Sequence, residues 1–484
     1  MTRRHADSVA GTTESAYQSR VPPVPRAIRW ARVALVVALT AEAVLLAFAV
    51  HPGETHQLGI LLREMGALVA FAVALIVLPG CAWSTSQAVK IVMGVGAGLQ
   101  LLALTHIPVT SDDDFRYAWD AKVQFAGIDP YRYAPTSSHL AFLRDDFLFP
   151  AGLHPCPHGI ADGCTLINLP DQHTIYPPLA QAAFVTLRLI SFGGHGGHLP
   201  LQLAAAAGAL AIAALLARRA VRTSRPLWTV AMWAWCPMTV MELGNNAHID
   251  WLAVLLGLLA IGTAERRRPL ATGAWLGAAI VTKLYPVLLL PSVVRRRPLV
   301  VVGGMVAVIG VSYLPHVLAV GRGVIGYLPG YLHEDGYSTG RGYRLIGAVL
   351  PPVPAGIVAV LAVVGAMAWA AFRADPDRPD RSALLVVGVA LLATTPSLPW
   401  YTLLLLALAA RVGRPEWLGV VAAATVSYLG AGAGARLSVV GASAYGAGLV
   451  ILLAGTWWRL TRGAAAGRSA EQARQGLALP VRGA

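Results

Sequence analysis

The chain has 484 residues, of which 56% are hydrophobic and only 13% charged, against roughly 25% charged in an ordinary soluble protein. Its mean hydropathy is +0.60, and several apolar runs approach or exceed the roughly 18 to 20 residues that cross a bilayer as helix, which argues against a soluble globule. The 38 basic residues outweigh 24 acidic ones to give +14, but they fall in short clusters between apolar runs, so the surplus reads as topology and anionic-lipid contact, with no nucleic acid as partner.

The stretch from Met1 to Arg26 is polar and punctuated by proline, and residues 1–30 are expected to form a cytoplasmic tail. The first apolar run, Ala31 to Val50, is too long for the hydrophobic part of a signal peptide and lacks a small-residue cleavage pattern, so it is expected to stay as a span. Further spans are expected at 61–79, 88–107, 199–217, 226–242, 248–263, 299–318, 353–372, 382–396, 399–411, 415–430 and 441–458, because lipid offers no partner to an exposed backbone amide. The run Pro269 to Val294 lies between Arg266–Arg268 and Arg295–Arg297, so both ends want the same face, and a hairpin turning near Lys283 and Tyr285 satisfies that better than one straight helix. Tyr176 to Phe192 is assigned to the outer surface, since a span there would strand the arginines at 218–225 outside.

With those two assignments the arginine clusters share one face, both termini are cytoplasmic, and two loops, 108–198 and 319–350, face the other side. The expected fold class is an all-α polytopic membrane protein of about 12 to 14 transmembrane helices. Residues 31–460 form the transmembrane domain, and the alanine-, glycine- and arginine-rich tail 461–484 is expected to be disordered.

The first outer loop opens with Ser111-Asp112-Asp113-Asp114-Phe115-Arg116-Tyr117-Ala118-Trp119-Asp120. Adjacent carboxylates raise one another's pKa while Arg116 pulls the other way, and a tuned carboxylate is what a general base requires. The same residues also read as an acidic helix start capped by Ser111 or Asp112. In an extended segment 112 and 114 would share a side and 113 would face away. The aromatic and arginine residues that follow, with Gly127-Ile128-Asp129-Pro130-Tyr131-Arg132-Tyr133, resemble a sugar-binding edge.

That string, with Cys164-Thr165-Leu166-Ile167-Asn168, Thr174-Ile175-Tyr176-Pro177-Pro178, Asn246-Ala247-His248-Ile249-Asp250 and Lys283-Leu284-Tyr285-Pro286, resembles the actinobacterial polyprenyl-phosphate-mannose-dependent glycosyltransferases. These are membrane transferases of the GT-C architecture, close to the GT87 group, and the likeness covers roughly 30–460 in layout. It implies a GT-C bundle whose two outer loops form the active-site cleft, a lipid-phosphate sugar donor, a catalytic aspartate in the first outer loop, and inverting transfer on the non-cytoplasmic face of the cell membrane. The tyrosine usual after the acidic group is Phe115 here, and the glycine often seen after Trp-Asp is Ala121. On this resemblance Asp113 is the expected base, with Asp112 sharing the proton or orienting the acceptor, and Asp114 replaceable.

Basic residues at the membrane boundary would stabilise the departing phosphate. Lys283 interrupts an apolar stretch, where a charge is costly and functional by default, although a lysine at a span end can also snorkel. Arg341 and Arg344 in the second outer loop offer phosphate or sugar contacts, and Arg116, Tyr117, Trp119, Asp120, Tyr176, His248 and Asp250 complete the expected binding set. His248 and Asp250 also read as a polar helix end. Cys156 and Cys164 share one loop with His154, His158 and His173, ligand types for zinc, but an outer, oxidising location favours a Cys156–Cys164 disulfide. No cofactor is required by this chemistry, and a bound divalent metal ion is compatible with it.

The leading function is therefore transfer of a hexose, mannose by resemblance, from a polyprenyl-phosphate donor to a cell-envelope glycan or glycolipid. A transporter or lipid flippase would suit the span count but would carry its polar residues near the midplane, in paired halves. A pentosyl (arabinofuranosyl) transferase of the same architecture is the competing enzyme.

Overall fold

The computed structural model describes residues 25–53, 56–161, 163–190 and 197–477. Most of the expected N-terminal tail and the last seven residues therefore lie outside the described residues. Helices α1 (Arg26–Val50), α2 (Gln57–Val77) and α3 (Thr85–Ala103) come first. Ser84 starts α3 with a capping box: its hydroxyl accepts from the Gln87 backbone N–H, and the Gln87 side chain accepts from the Ser84 N–H. The outer segment holds α4 (Asp113–Phe125), a two-stranded antiparallel hairpin of β1 (His158–Ile160) and β2 (Gly163–Thr165), and α5 (Pro178–Leu189). Trp119 packs there with Leu140, Leu148 and Ile167 in a small core of its own.

The chain re-enters the bundle through α6 (His198–Arg222), α7 (Trp228–Ala234) and the short α8 (Pro237–Thr239), which runs into a π-helical turn, Val240–Asn245, before α9 (Asp250–Glu265). Then follow α10 (Pro269–Ile280), α11 (Leu290–Val293), α12 (Pro298–Val320), α13 (Leu328–Glu334) and α14 (Arg344–Gly347). Helices α15 (Pro352–Phe372), α16 (Pro379–Thr394), α17 (Leu403–Val412), α18 (Leu418–Gly432) and α19 (Leu437–Leu477) complete the bundle. Helix α19 carries on through the start of the arginine-rich tail.

Seven of the described helical segments are long and apolar enough to cross a membrane: 26–50, 57–81, 85–103, 198–222, 298–334, 352–372 and 437–462. The remaining apolar runs form shorter helices. Prolines account for much of this: Pro237 ends the first helix of the 226–242 run, and Pro399 and Pro415 open new elements after α16 and α17, since proline lacks the N–H that would continue the ladder. Large apolar side chains point outward along the long helices, Ile76, Leu318 and Leu361 among them, as a lipid-facing surface allows and an aqueous one does not.

The segment 269–294 doubles back. Helix α10 ends at Ile280, the chain turns through 281–284, and a 3-10 stretch and α11 return it, so that Arg267 and Arg268 at one end and Arg295–Arg297 at the other line one cavity. Close packing of α10 on α12 depends on Gly273, where a Cβ would sit 2.1 Å from the Val301 carbonyl oxygen. At the same end of the bundle Arg219 and Arg411 share Glu265 and Asp380, tying α6, α9, α16 and α17 together.

Candidate active site

Helix α4 begins at Asp113, so the acidic triplet follows helical rather than extended geometry. Asp112 and Asp113 consequently face the same way, both accepting from the Asn168 side-chain amide at 3.1 and 2.7 Å, while Asp114 turns to His198. This corrects the alternation expected of an extended segment. Neither capping expectation holds in full: the Ser111 hydroxyl accepts from the Asp113 N–H at 3.3 Å, but the Asp112 side chain makes no cap bond and instead meets His158 Nε2 at 2.7 Å.

Asp113 is buried, and its Oδ2 accepts from the hydroxyls of Tyr176 at 2.9 Å and Tyr117 at 3.3 Å. Behind it lies His248, fully buried and stacked 3.9 Å from the Trp400 ring, with Nδ1 3.4 Å from Asp113 and Nε2 3.2 Å from Glu242. Burial disfavours the Asp113 charge, but His248, Lys283 and the Tyr176 hydroxyl outweigh it and hold the carboxyl well below the usual carboxylate range. Burial instead pushes Asp114 up, with His198 opposing.

Lys283 sits in the turn of the 269–294 hairpin. Its Nζ is 3.3 Å from Asp250 Oδ2 and lies over the rings of Tyr176 and Tyr401. Asp250, itself buried, also accepts from the Tyr285 hydroxyl at 3.0 Å. Each of the two charged groups, Asp113 and Lys283, thus has an oppositely charged or ionisable partner held behind it from the α8–α9 region.

Both face a cavity of about 240 Å³ lined by Asp112, Asp113, Asn168, His173, Tyr327 and Trp400, among others. A second, mostly apolar cavity of about 490 Å³ runs from Pro177 and Leu284 to Val363 and Leu391. The two share Ile175, Tyr176, Lys283, Tyr331 and Tyr401 as a common wall.

Residues 174–398, just under half of the chain, match the family model of glycosyltransferase family 87. The protein is a membrane glycosyltransferase. No curated protein and no solved structure matches the chain significantly. The matched region contains Tyr176, Glu242, His248, Asp250 and Lys283 but ends before Trp400 and begins after the acidic triplet.

The residues expected at the transferase site divide sharply. Asp112, Asp113, Arg116, Tyr176 and Lys283 line the polar cavity, and His248 and Asp250 stand directly behind it. Arg116 is nevertheless committed: its guanidinium bonds Asp120 and the carbonyls of Leu169 and Gln172, so it shapes the 169–172 loop. Tyr117 touches Asp113 but lies in the aromatic cluster of Tyr176 and Phe184. Trp119 and Asp120 do not reach either cavity: Trp119 fills the outer core, and Asp120 is saturated by Arg116, Thr174 and Gln181. Arg344 is buried against the Thr395 carbonyl, and exposed Arg341 lines neither cavity.

Glu242, Tyr331, Trp400 and Tyr401 were not singled out by sequence, and His158 and Asn168 were noted there only as a zinc-ligand type and as part of a motif. Glu242 carried a signal, an acid inside an otherwise apolar run; the aromatics carried none, being indistinguishable from interface-belt residues. Cys156 and Cys164 are joined as a disulfide, while Cys81 and Cys236 are free and buried. Among the described residues no three histidine, cysteine or acidic side chains converge to hold a metal ion.

Proposed function

We propose that the transferase moves a hexose, by resemblance mannose, from a polyprenyl-phosphate donor to a glycan or glycolipid acceptor, on the non-cytoplasmic face and with inversion. The observation that carries the reading is the wall shared by the polar and apolar cavities, with the Lys283 ammonium in it. A lipid-phosphate sugar has this same order of parts: an apolar chain for the 490 Å³ cavity, an anionic phosphate for Lys283, and a sugar for the acidic cavity. Asp113 then takes the acceptor proton. A carboxylate held ionised is a weak base, but the attacking hydroxyl becomes strongly acidic as its oxygen bonds the anomeric carbon, so a weak base in position suffices. Lys283 meanwhile balances the charge that builds on the leaving phosphate.

The test is transfer of labelled mannose from polyprenyl-phosphate mannose by the purified protein in lipid nanodiscs, with envelope glycolipids as acceptors. Transfer that requires the lipid donor supports the reading. Turnover with a nucleotide sugar alone, or none with any lipid-phosphate hexose, overturns it.

A further inference from the structure

The widest of the cavities described lies far from this site. About 620 Å³ in volume, it is lined by Arg267, Arg268, Arg295, Arg296 and Arg297 around a floor that includes Thr272 and Ser292. Helix α10 separates it from the Lys283 turn by 12 residues, about 18 Å at 1.5 Å per residue.

A positive-inside cluster needs no pocket, no depth and no polar floor. This one has all three. Among the described residues Asp377 is the one carboxylate paired with these arginines: it engages Arg267 at 3.5 Å and also Arg296. Arg295 bonds the Ala374 carbonyl, which neutralises nothing, and Arg268 and Arg297 have no carboxylate partner among the described residues. The cluster is therefore strongly uncompensated. Ser292 is 5% exposed, and its buried hydroxyl has no hydrogen-bond partner, an unmet donor that ordinarily calls for a ligand or water. Two helices also start here, α10 at Pro269 and α12 at Pro298, each with proline at its first position. Their next backbone N–H groups are the free donors of a helix N-terminus, which with the dipole favour an anion.

We propose that this pocket binds a phosphate group, the arginines supplying charge and Ser292 a hydrogen bond from the floor. The shared chemistry is a phosphate ester, carried by an anionic membrane lipid or by a soluble phosphate. Apolar surface beside the cavity favours the lipid: Leu270 and Leu299, which follow Pro269 and Pro298 at the two helix starts, are 64% and 87% exposed, a surface that suits acyl chains and not water.

The experiment uses the full-length protein, measured by native mass spectrometry for retained phosphatidylglycerol against phosphatidylcholine, and by titration with inorganic phosphate and diphosphate. Wild type is expected to retain phosphatidylglycerol at least roughly tenfold more tightly than Arg268→Gln/Arg297→Gln. Ser292→Ala, which changes no charge and leaves topology alone, is expected to weaken retention several-fold. Arg218→Gln/Arg222→Gln, a cluster outside the pocket, should retain it as wild type does. Binding of diphosphate but not lipid, lost in the same variants, supports a soluble phosphate as the source. Equal retention by wild type and both pocket variants, or equal losses in the 218/222 control, overturns the site and returns the cluster to topology alone.

Discussion

Asp113 is surrounded by groups that favour its charge, and this sets what each neighbour should do when removed. Asp113→Asn keeps the shape and most hydrogen bonds but loses the proton acceptor, so transfer should fall by about 10²-fold or more, the usual scale for a general base; an Asn variant that retains more than about a tenth of wild-type turnover refutes the assignment. His248→Gln removes one of the charges that lower the Asp113 pKa. Its pKa should then rise, and because the base must be ionised, the acid limb of the kcat/KM profile should move to higher pH, with little change above neutrality. An unchanged limb would show that His248 does not act through Asp113. Lys283→Ala should raise the donor KM and lower kcat more than Lys283→Arg, which keeps the charge but not the shape. Asp113 and Lys283 were legible in the sequence because charges next to spans are rare enough to stand out. Trp119 and Asp120 misled because they share the motif: helical rotation carries Trp119 into the outer core, while Asp120, two turns along the helix from Asp113, is taken up by Arg116, Thr174 and Gln181.

At the level of elements, the π-helical turn Val240–Asn245 is what sends polar side chains inward. Asn245 donates to the carbonyls of Ala103, His106 and Ile107, and Asn246 donates to the Thr110 hydroxyl and accepts from the Thr110 N–H. These bonds pin the strand of chain that leads to Asp112. Asn246→Leu should therefore destabilise the fold by about 1–3 kcal/mol, the cost of leaving buried partners unpaired, readable as a lower denaturation midpoint. The disulfide does the corresponding job for the β-hairpin, holding His158 against Asp112. Opening this short loop should cost the outer segment about 2 to 3 kcal/mol on the chain-entropy model. Cys156→Ser/Cys164→Ser should thus expose the 150–170 region to protease while the bundle stays intact, and equal protection in wild type and variant would show that the bond constrains nothing. The hairpin at 269–294 was legible because arginines at both ends demanded one face. The π-turn was not, since a local change of helical register leaves hydropathy unaltered.

For the molecule as a whole, the charge pattern leads to the expectation that the 108–198 and 319–350 loops lie on the face opposite the arginine clusters. Single cysteines at Ser138 and Ser338 should react with an impermeant thiol reagent in intact cells, and one at Thr223 should not; labelling at 223 would reverse the orientation. The bundle was legible as an all-α membrane protein from composition and run length. Its helix lengths were not: seven described segments are long and apolar enough to cross, and proline breaks other apolar runs into shorter helices that a hydropathy reading counts as whole ones. The cavities were equally out of reach, since Tyr176, Tyr331 and Tyr401 meet only after three distant segments pack.

The wall common to the two cavities also fixes an order of traffic. On the proposed reading the donor slides in sideways from the bilayer through the apolar chamber, whereas the acceptor enters the acidic chamber between the loops, so neither blocks the other's door. Once the sugar has left, the carrier keeps its chain in the groove and gains negative charge beside Lys283. Spent carrier lipid should therefore inhibit competitively against the donor and non-competitively against the acceptor, and turnover at saturating substrate should be paced by its lateral escape.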